Sequence, residues 1–138
     1  MSDIKIGIVG HGFVGQATDH GFSINTEKFI VDPKYGTTIK NLEKFSPEFI
    51  FVCLPTPMLK DGTQDISIVE KSLIEMNDKF KNSTIILKST ILPSFFIKNL
   101  KYLERVVYNP EFLREKYANE DFINSKMIIL AGKSHEIK

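Results

Sequence analysis

Short, almost uniformly apolar runs alternate along this chain with segments whose apolar residues recur every three or four positions. The runs are Ile4–Val9, Lys28–Val31, Phe49–Leu54, Thr84–Leu87, Arg105–Tyr108 and Lys126–Leu130. Their length suits strands, and their lack of polar alternation suits strands covered on both faces, as in a parallel sheet. Between them the spacing predicts helices. One runs from about Gly12 to Ser23, with Phe13, Val14, Ala17 and Gly21 against the sheet. A short one spans Thr37 to Phe45, with Ile39, Leu42 and Phe45 in one stripe. A third follows Asp65, a suitable cap, and carries Val69, Leu73, Met76 and Phe80. A fourth opens at Pro93 and carries Phe96, Leu100 and Leu103 on one face. The polar loop Asn109–Glu115 leads into another short helix, and Ser134 to Lys138 begins a last one. Strands and helices in alternation predict one α/β domain over residues 1–138, a doubly wound sheet of six parallel strands. The expected order is 3-2-1 for the first half, with 4-5-6 on the other side.

The first run turns directly into Gly10-His11-Gly12-Phe13-Val14-Gly15. Three glycines so spaced, between a strand and a helix, form a nucleotide cradle of Rossmann type. Gly10 permits the tight turn, Gly12 lets the backbone approach a pyrophosphate, and Gly15 lets the helix pack closely on the strand. Asp32 closes the second run about 20 residues further on, where a carboxylate meets the adenosine ribose hydroxyls and repels a 2′-phosphate, so the cofactor expected is NAD. Asp32 also has a plainer reading, as a turn cap before Pro33. Pro55-Thr56-Pro57 and Lys88-Ser89-Thr90 follow the third and fourth runs, at the carboxyl ends where such sheets bind ligands.

Composition narrows the class. At 138 residues, 42% hydrophobic and 25% charged, the chain suits a single globular domain. A net charge of +1 with scattered lysines gives no footprint for nucleic acid or an anionic membrane. No apolar run approaches a membrane span in length. Cys53 is the lone cysteine, which excludes an internal disulfide and suggests a reducing, cytoplasmic setting, and no Cys/His cluster suggests a metal. Set among Phe51, Val52 and Leu54, Cys53 reads as a buried strand thiol rather than a nucleophile. His11, His20 and His135 lack the spacing of a metal site or triad, and His11 reads as a solvated loop residue. Glu111 and Glu115, four apart, form either a solvated face or a pair with chemistry between them.

Taken in order, Gly10–Gly15, Cys53-Leu54-Pro55-Thr56-Pro57, Lys88-Ser89-Thr90 and Asn109-Pro110-Glu111-Phe112-Leu113-Arg114-Glu115, with Ala118 and Asp121 downstream, resemble the NAD-binding domain of UDP-glucose/GDP-mannose 6-dehydrogenases. The resemblance covers essentially the whole chain. It implies oxidation of a sugar C6 alcohol to a carboxylate by two NAD-dependent hydride transfers, through an aldehyde held on a cysteine. It also implies roles by position. Gly10, Gly12, Phe13 and Val14 hold the pyrophosphate, Asp32 the adenosine ribose, and Thr56 and Thr90 the nicotinamide side; Gly15 and Pro55 complete the cofactor set. Thr90 and Glu111 position the reacting water or alcohol, and Glu115 lies between cofactor and substrate.

Two departures stand out. The segment between Asp32 and the third run is shorter than in the family, and Lys116 replaces a glycine. By the same resemblance the family's middle and C-terminal domains, with the nucleophilic cysteine and most sugar contacts, are absent. Three readings follow. The chain is the NAD-binding part of a truncated or split dehydrogenase, inactive without a complementing chain; or a free-standing NAD-binding module that senses, sequesters or regulates; or a decayed fragment. A monomer is the default, with a weak homodimer if the surface of the missing domain is reused.

Overall fold

The computed structural model describes residues 3–22, 25–99 and 103–137. Among these, five strands form one parallel sheet: β1 (Ile4–Val9), β2 (Thr26–Val31), β3 (Phe49–Val52), β4 (Thr84–Leu87) and β5 (Val106–Tyr108). The helices are α1 (Phe13–Gly21), α2 (Ile39–Phe45), α3 (Ser67–Lys79), α4 (Pro93–Lys98), α5 (Ala118–Asn124) and α6 (Ser134–Ile137).

Successive side chains of a strand point to opposite faces, so apolar strands feed two cores. Val9, Ile50, Val52, Ile85, Leu87 and Val106 join the larger core with Leu42 of α2, Val69, Leu73 and Met76 of α3, and Phe95 of α4. Ile6, Ile8 and Phe51 face the other way. There Phe22, just past α1, packs between Phe51 and Phe122 of α5. Asp65 receives the Ser67 amide at 3.0 Å, satisfying a donor at the start of α3. In α1 the buried residues are Gly15, Ala17 and Thr18, while Phe13, expected against the sheet, is exposed. In α4 Phe95 is the buried residue, and the expected Phe96 packs partly buried against the same core. Ser23 and Leu100 lie outside the described residues.

The strand order is β2-β1-β3-β4-β5, which corrects the expected 3-2-1 arrangement. The cause is the face that α2 takes. α1 and α2 pack on opposite faces, and a right-handed crossover that leaves β2 on the α2 face leads back across β1. Leu42 seats over β1 in the space left by Gly7, where a Cβ would come within 2.7 Å of Leu42 Cδ1. β3 is thereby delivered to the other side of β1, in register from Ile6 opposite Phe49 to Val9 opposite Val52. Connections diverge from β1 to the two sides at this point, and an open α/β sheet binds ligands at such a switch.

A sixth strand at Lys126–Leu130 is not formed. Just past the segment, Ala131 makes an antiparallel bridge to Tyr108 of β5, with hydrogen bonds of 2.7 and 2.9 Å. Short β5 offers little edge to pair with, and the Ile129 carbonyl is taken by Asn109 Nδ2 at 2.9 Å. Met127 and Ile128 remain largely exposed.

Candidate functional site

The carboxyl ends of all five strands contribute to one cleft of about 540 Å³. Its walls carry Gly10, His11, Gly12, Phe13 and Val14 after β1, Asp32 after β2, Cys53, Pro55 and Thr56 after β3, Lys88 and Thr90 after β4, and Glu111 after β5. Gly10 has a φ of +90°, and a Cβ there would lie 2.5 Å from the Cys53 carbonyl oxygen. That position therefore admits only glycine. A Cβ on Gly15 would lie 2.0 Å from the Gly10 carbonyl oxygen, so Gly15 acts behind the cleft, letting α1 approach the turn. Gly12 differs from both, because a Cβ there would meet nothing within 4 Å. The space above it is open, and the first amides of α1 have no partners within the helix. An anion fits there.

Asp32 lies just past β2, in the wall of the cleft. Its Oδ2 accepts the main-chain N–H of His11 at 2.7 Å and its Oδ1 accepts that of Lys34 at 3.0 Å. Burial pushes its carboxyl up, but the amides of Lys34 and His11 outweigh that and hold it below the usual 3.8. Each oxygen keeps a further lone pair. Asp32 also caps the 3-10 turn Pro33–Tyr35, so the plainer reading describes the same geometry.

At the other end of the cleft the Thr90 carbonyl accepts the Thr56 hydroxyl at 2.9 Å and Gln64 Nε2 at 2.7 Å. Gln64 Oε1 also receives the Leu92 amide at 3.3 Å. Gln64 was invisible to sequence reasoning, since its partners lie 26 and 28 positions away. Lys88, quoted above only as part of a motif, is 5% exposed and donates to Asn109 Oδ1 at 2.8 Å. Burial lowers its ammonium, with Cys53 and Glu111 acting in the opposite sense. Burial likewise pushes the Cys53 thiol up to about 12. Glu111 Oε2 accepts the Leu113 amide at 2.6 Å. Glu115 lies outside the cleft wall, in a shallow hollow beyond Phe13 and Gln16. His11 is not the solvated residue expected: it is 8% exposed and bonded through both ring nitrogens.

A family model described as the NAD-binding domain of the UDP-glucose/GDP-mannose dehydrogenase family matches residues 34–138. The chain belongs to this family. UDP-glucose 6-dehydrogenase of Rickettsia felis is 32% identical over 107 residues, covering 72% of this chain and 24% of that protein. The chain thus spans about a quarter of that relative's length. Two solved structures share the fold. GDP-mannose dehydrogenase from Pseudomonas aeruginosa gives a TM-score of 0.75 at 20% identity, covering 95% of this chain and 41% of that one. UDP-glucose dehydrogenase from Pyrobaculum islandicum gives 0.74 at 21% identity, covering 99% and 43%.

The cofactor of this NAD-binding domain matches the cleft on physical grounds. Gly12 leaves room for a pyrophosphate, the start of α1 offers amides to it, and Asp32 offers free lone pairs to a ribose diol. Among the described residues no group of three or more His, Cys, Asp or Glu could hold a metal, and no helix is long and apolar enough to cross a membrane.

Proposed function

We propose that the chain holds NAD in the strand-end cleft and presents it to a nucleotide sugar, with turnover depending on residues that this chain does not carry. The observation that supports this best is the open space over Gly12, set between the first amides of α1 and the Asp32 carboxylate. Bound there, the dinucleotide supplies a hydride acceptor. Gly10, Gly12, Phe13 and Val14 then line the pyrophosphate, Asp32 takes the ribose diol, and Pro55, Thr56 and Thr90 shape the nicotinamide end. Thr90 and Glu111 are our candidates for orienting the reacting alcohol or water. Glu111 is already aimed by the Leu113 amide on one oxygen, which leaves the other free for a proton. Glu115 is a candidate from beyond Phe13 if the substrate extends over that ring.

Oxidation through to an acid needs a nucleophile for the aldehyde. Cys53, with its thiol raised to about 12, is a poor source of thiolate. The isolated chain is therefore expected to bind NAD and to leave UDP-glucose and GDP-mannose unoxidised. Calorimetric titration with NAD, then with each nucleotide sugar, combined with an NADH absorbance assay, tests this. Robust turnover by the pure chain would refute the dependence on outside residues, and no NAD binding would refute the cofactor role. The rival reading, a module that only senses or sequesters NAD, draws on the same inert Cys53. NAD binding that tightens in the presence of a nucleotide sugar speaks against it. We take the chain as a monomer or weak homodimer, to be measured by light scattering.

A further inference from the structure

His11 occupies the variable second position of the glycine loop, yet each of its polar groups is engaged. Its main-chain N–H donates to Asp32 Oδ2 at 2.7 Å. Its carbonyl accepts Lys34 Nζ at 2.6 Å and Gln16 Nε2 at 3.1 Å. Ring Nδ1 lies 2.9 Å from the Tyr35 hydroxyl and Nε2 3.1 Å from Asp19 Oδ2. Asp19, on α1, is paired in turn with Lys28 on β2. Burial pushes the Asp19 carboxyl up, and Lys28 and His11 outweigh this to hold it below 3.8. An ionised Asp19 can only accept, so Nε2 carries the proton and Nδ1 of a neutral ring accepts from Tyr35.

We propose that His11 is the positioning residue of the adenosine-ribose subsite: moored through its ring to Asp19 and Tyr35, its main chain orients Asp32 and retains Lys34, so that the subsite takes a free ribose diol and rejects a 2′-phosphate. This rests on the NAD-binding reading above.

The His11 and Lys34 amides each occupy one Asp32 oxygen, which fixes the carboxylate plane and turns its remaining lone pairs outward. Lys34 is the cation beside Asp32 in the chain, and a site for a 2′-phosphate uses a cation there. Here its ammonium is held on the His11 carbonyl and 5.1 Å from the centre of the Tyr35 ring. Loosening His11 frees both at once: the carboxylate loses its orientation and the lysine becomes available to phosphate.

The test compares the wild-type chain with His11→Ala and Tyr35→Phe, titrating NAD, ADP-ribose and NADP by calorimetry, with thermal melts alongside. The expected result for His11→Ala is a loss of about 10-fold in affinity for both NAD and ADP-ribose, on the scale of one orienting hydrogen bond, with NADP weakened less. The preference for NAD over NADP therefore narrows. Tyr35→Phe removes only the hydroxyl from an exposed ring and gives a smaller shift in the same direction. If His11→Ala fails to fold, Tyr35→Phe alone decides the matter. A wild-type chain that binds NAD, with folded variants that keep its NAD-to-NADP ratio, overturns the role of His11. A wild-type chain that binds neither NAD nor ADP-ribose overturns the cofactor reading instead.

Discussion

Gly15 and Gly10 touch so closely that a Cβ on Gly15 would stand 2.0 Å from the Gly10 carbonyl oxygen. Gly15→Ala must push α1 away from the turn and is expected to cost about 1–3 kcal/mol of stability, as overpacking does. Gly12→Ala meets open space, and a φ of −75° suits any residue. It should leave stability within about 0.5 kcal/mol of wild type while cutting NAD affinity at least about 10-fold, because the methyl would fill the space proposed for the pyrophosphate. Urea unfolding and NAD titration on both variants check this. A destabilised Gly12→Ala beside a wild-type Gly15→Ala would contradict it.

Gln64 holds the Thr90 carbonyl and the Leu92 amide together at the end of the cleft proposed for the nicotinamide. Gln64→Ala removes both bonds and leaves the Thr56 hydroxyl alone on Thr90. Amide hydrogen exchange at Leu92 is expected to speed up, with NAD affinity falling by several-fold and little change in global stability. Unchanged exchange at Leu92 would show that the loop is held by other means.

Cys53 lines the cleft with a thiol raised to about 12, so at about pH 8 almost none of it is thiolate. Iodoacetamide is expected to alkylate the native chain far more slowly than the chain in urea. Equal rates in the two states would show that the thiol is not desolvated.

Arg114 grips Asp121 through Nε at 3.0 Å and a terminal nitrogen at 2.8 Å, and its amide adds a third bond at 3.0 Å. The side-chain bond from Arg114 lowers Asp121 most, to about 2 from 3.8. A carboxyl lowered in the folded state adds stability that is fully present above 3.8 and lost as the pH falls toward 2. Arg114→Gln removes the side-chain part of this contribution and keeps the amide bond to Asp121. Melting temperatures of the two proteins should differ at neutral pH and converge as the pH falls through that window. A gap that persists to the acid end would assign the effect to packing, not to the ion pair.

Much of the fold was legible locally. The apolar runs marked β1, β3, β4 and β5 because strands covered on both faces leave little room for polar alternation, the apolar end of the half-exposed edge strand β2 marked that strand, and the spacing of Val69, Leu73 and Met76 marked α3. Gly10 and Gly15 were legible because the limits they answer to, a positive φ at Gly10 and the crowding of Gly15 against the turn, act within a few residues of chain. Asp32 was singled out by its distance to them, and the structure sets it in the same cleft.

Strand order was not legible, because periodicity says that a helix has an apolar face without saying which side of the sheet it covers. The seat of Leu42 over Gly7 decided that, and with it the place of β3. Lys126–Leu130 has the apolar content of a strand, but a strand also needs an edge to pair with, and β5 offers one bridge. His11 shows the same division within the site. Its neighbours in sequence marked it as a loop residue, while its burial depends on Asp19 and Tyr35, 8 and 24 positions away. The sequence by itself determined the five strands that form, the glycine turn and the cofactor class, since these follow from backbone sterics and local spacing. Only the tertiary structure decided the order of the strands and the company that Asp32, His11, Gln64 and Lys88 keep, since those contacts exist only once the sheet has brought distant segments together.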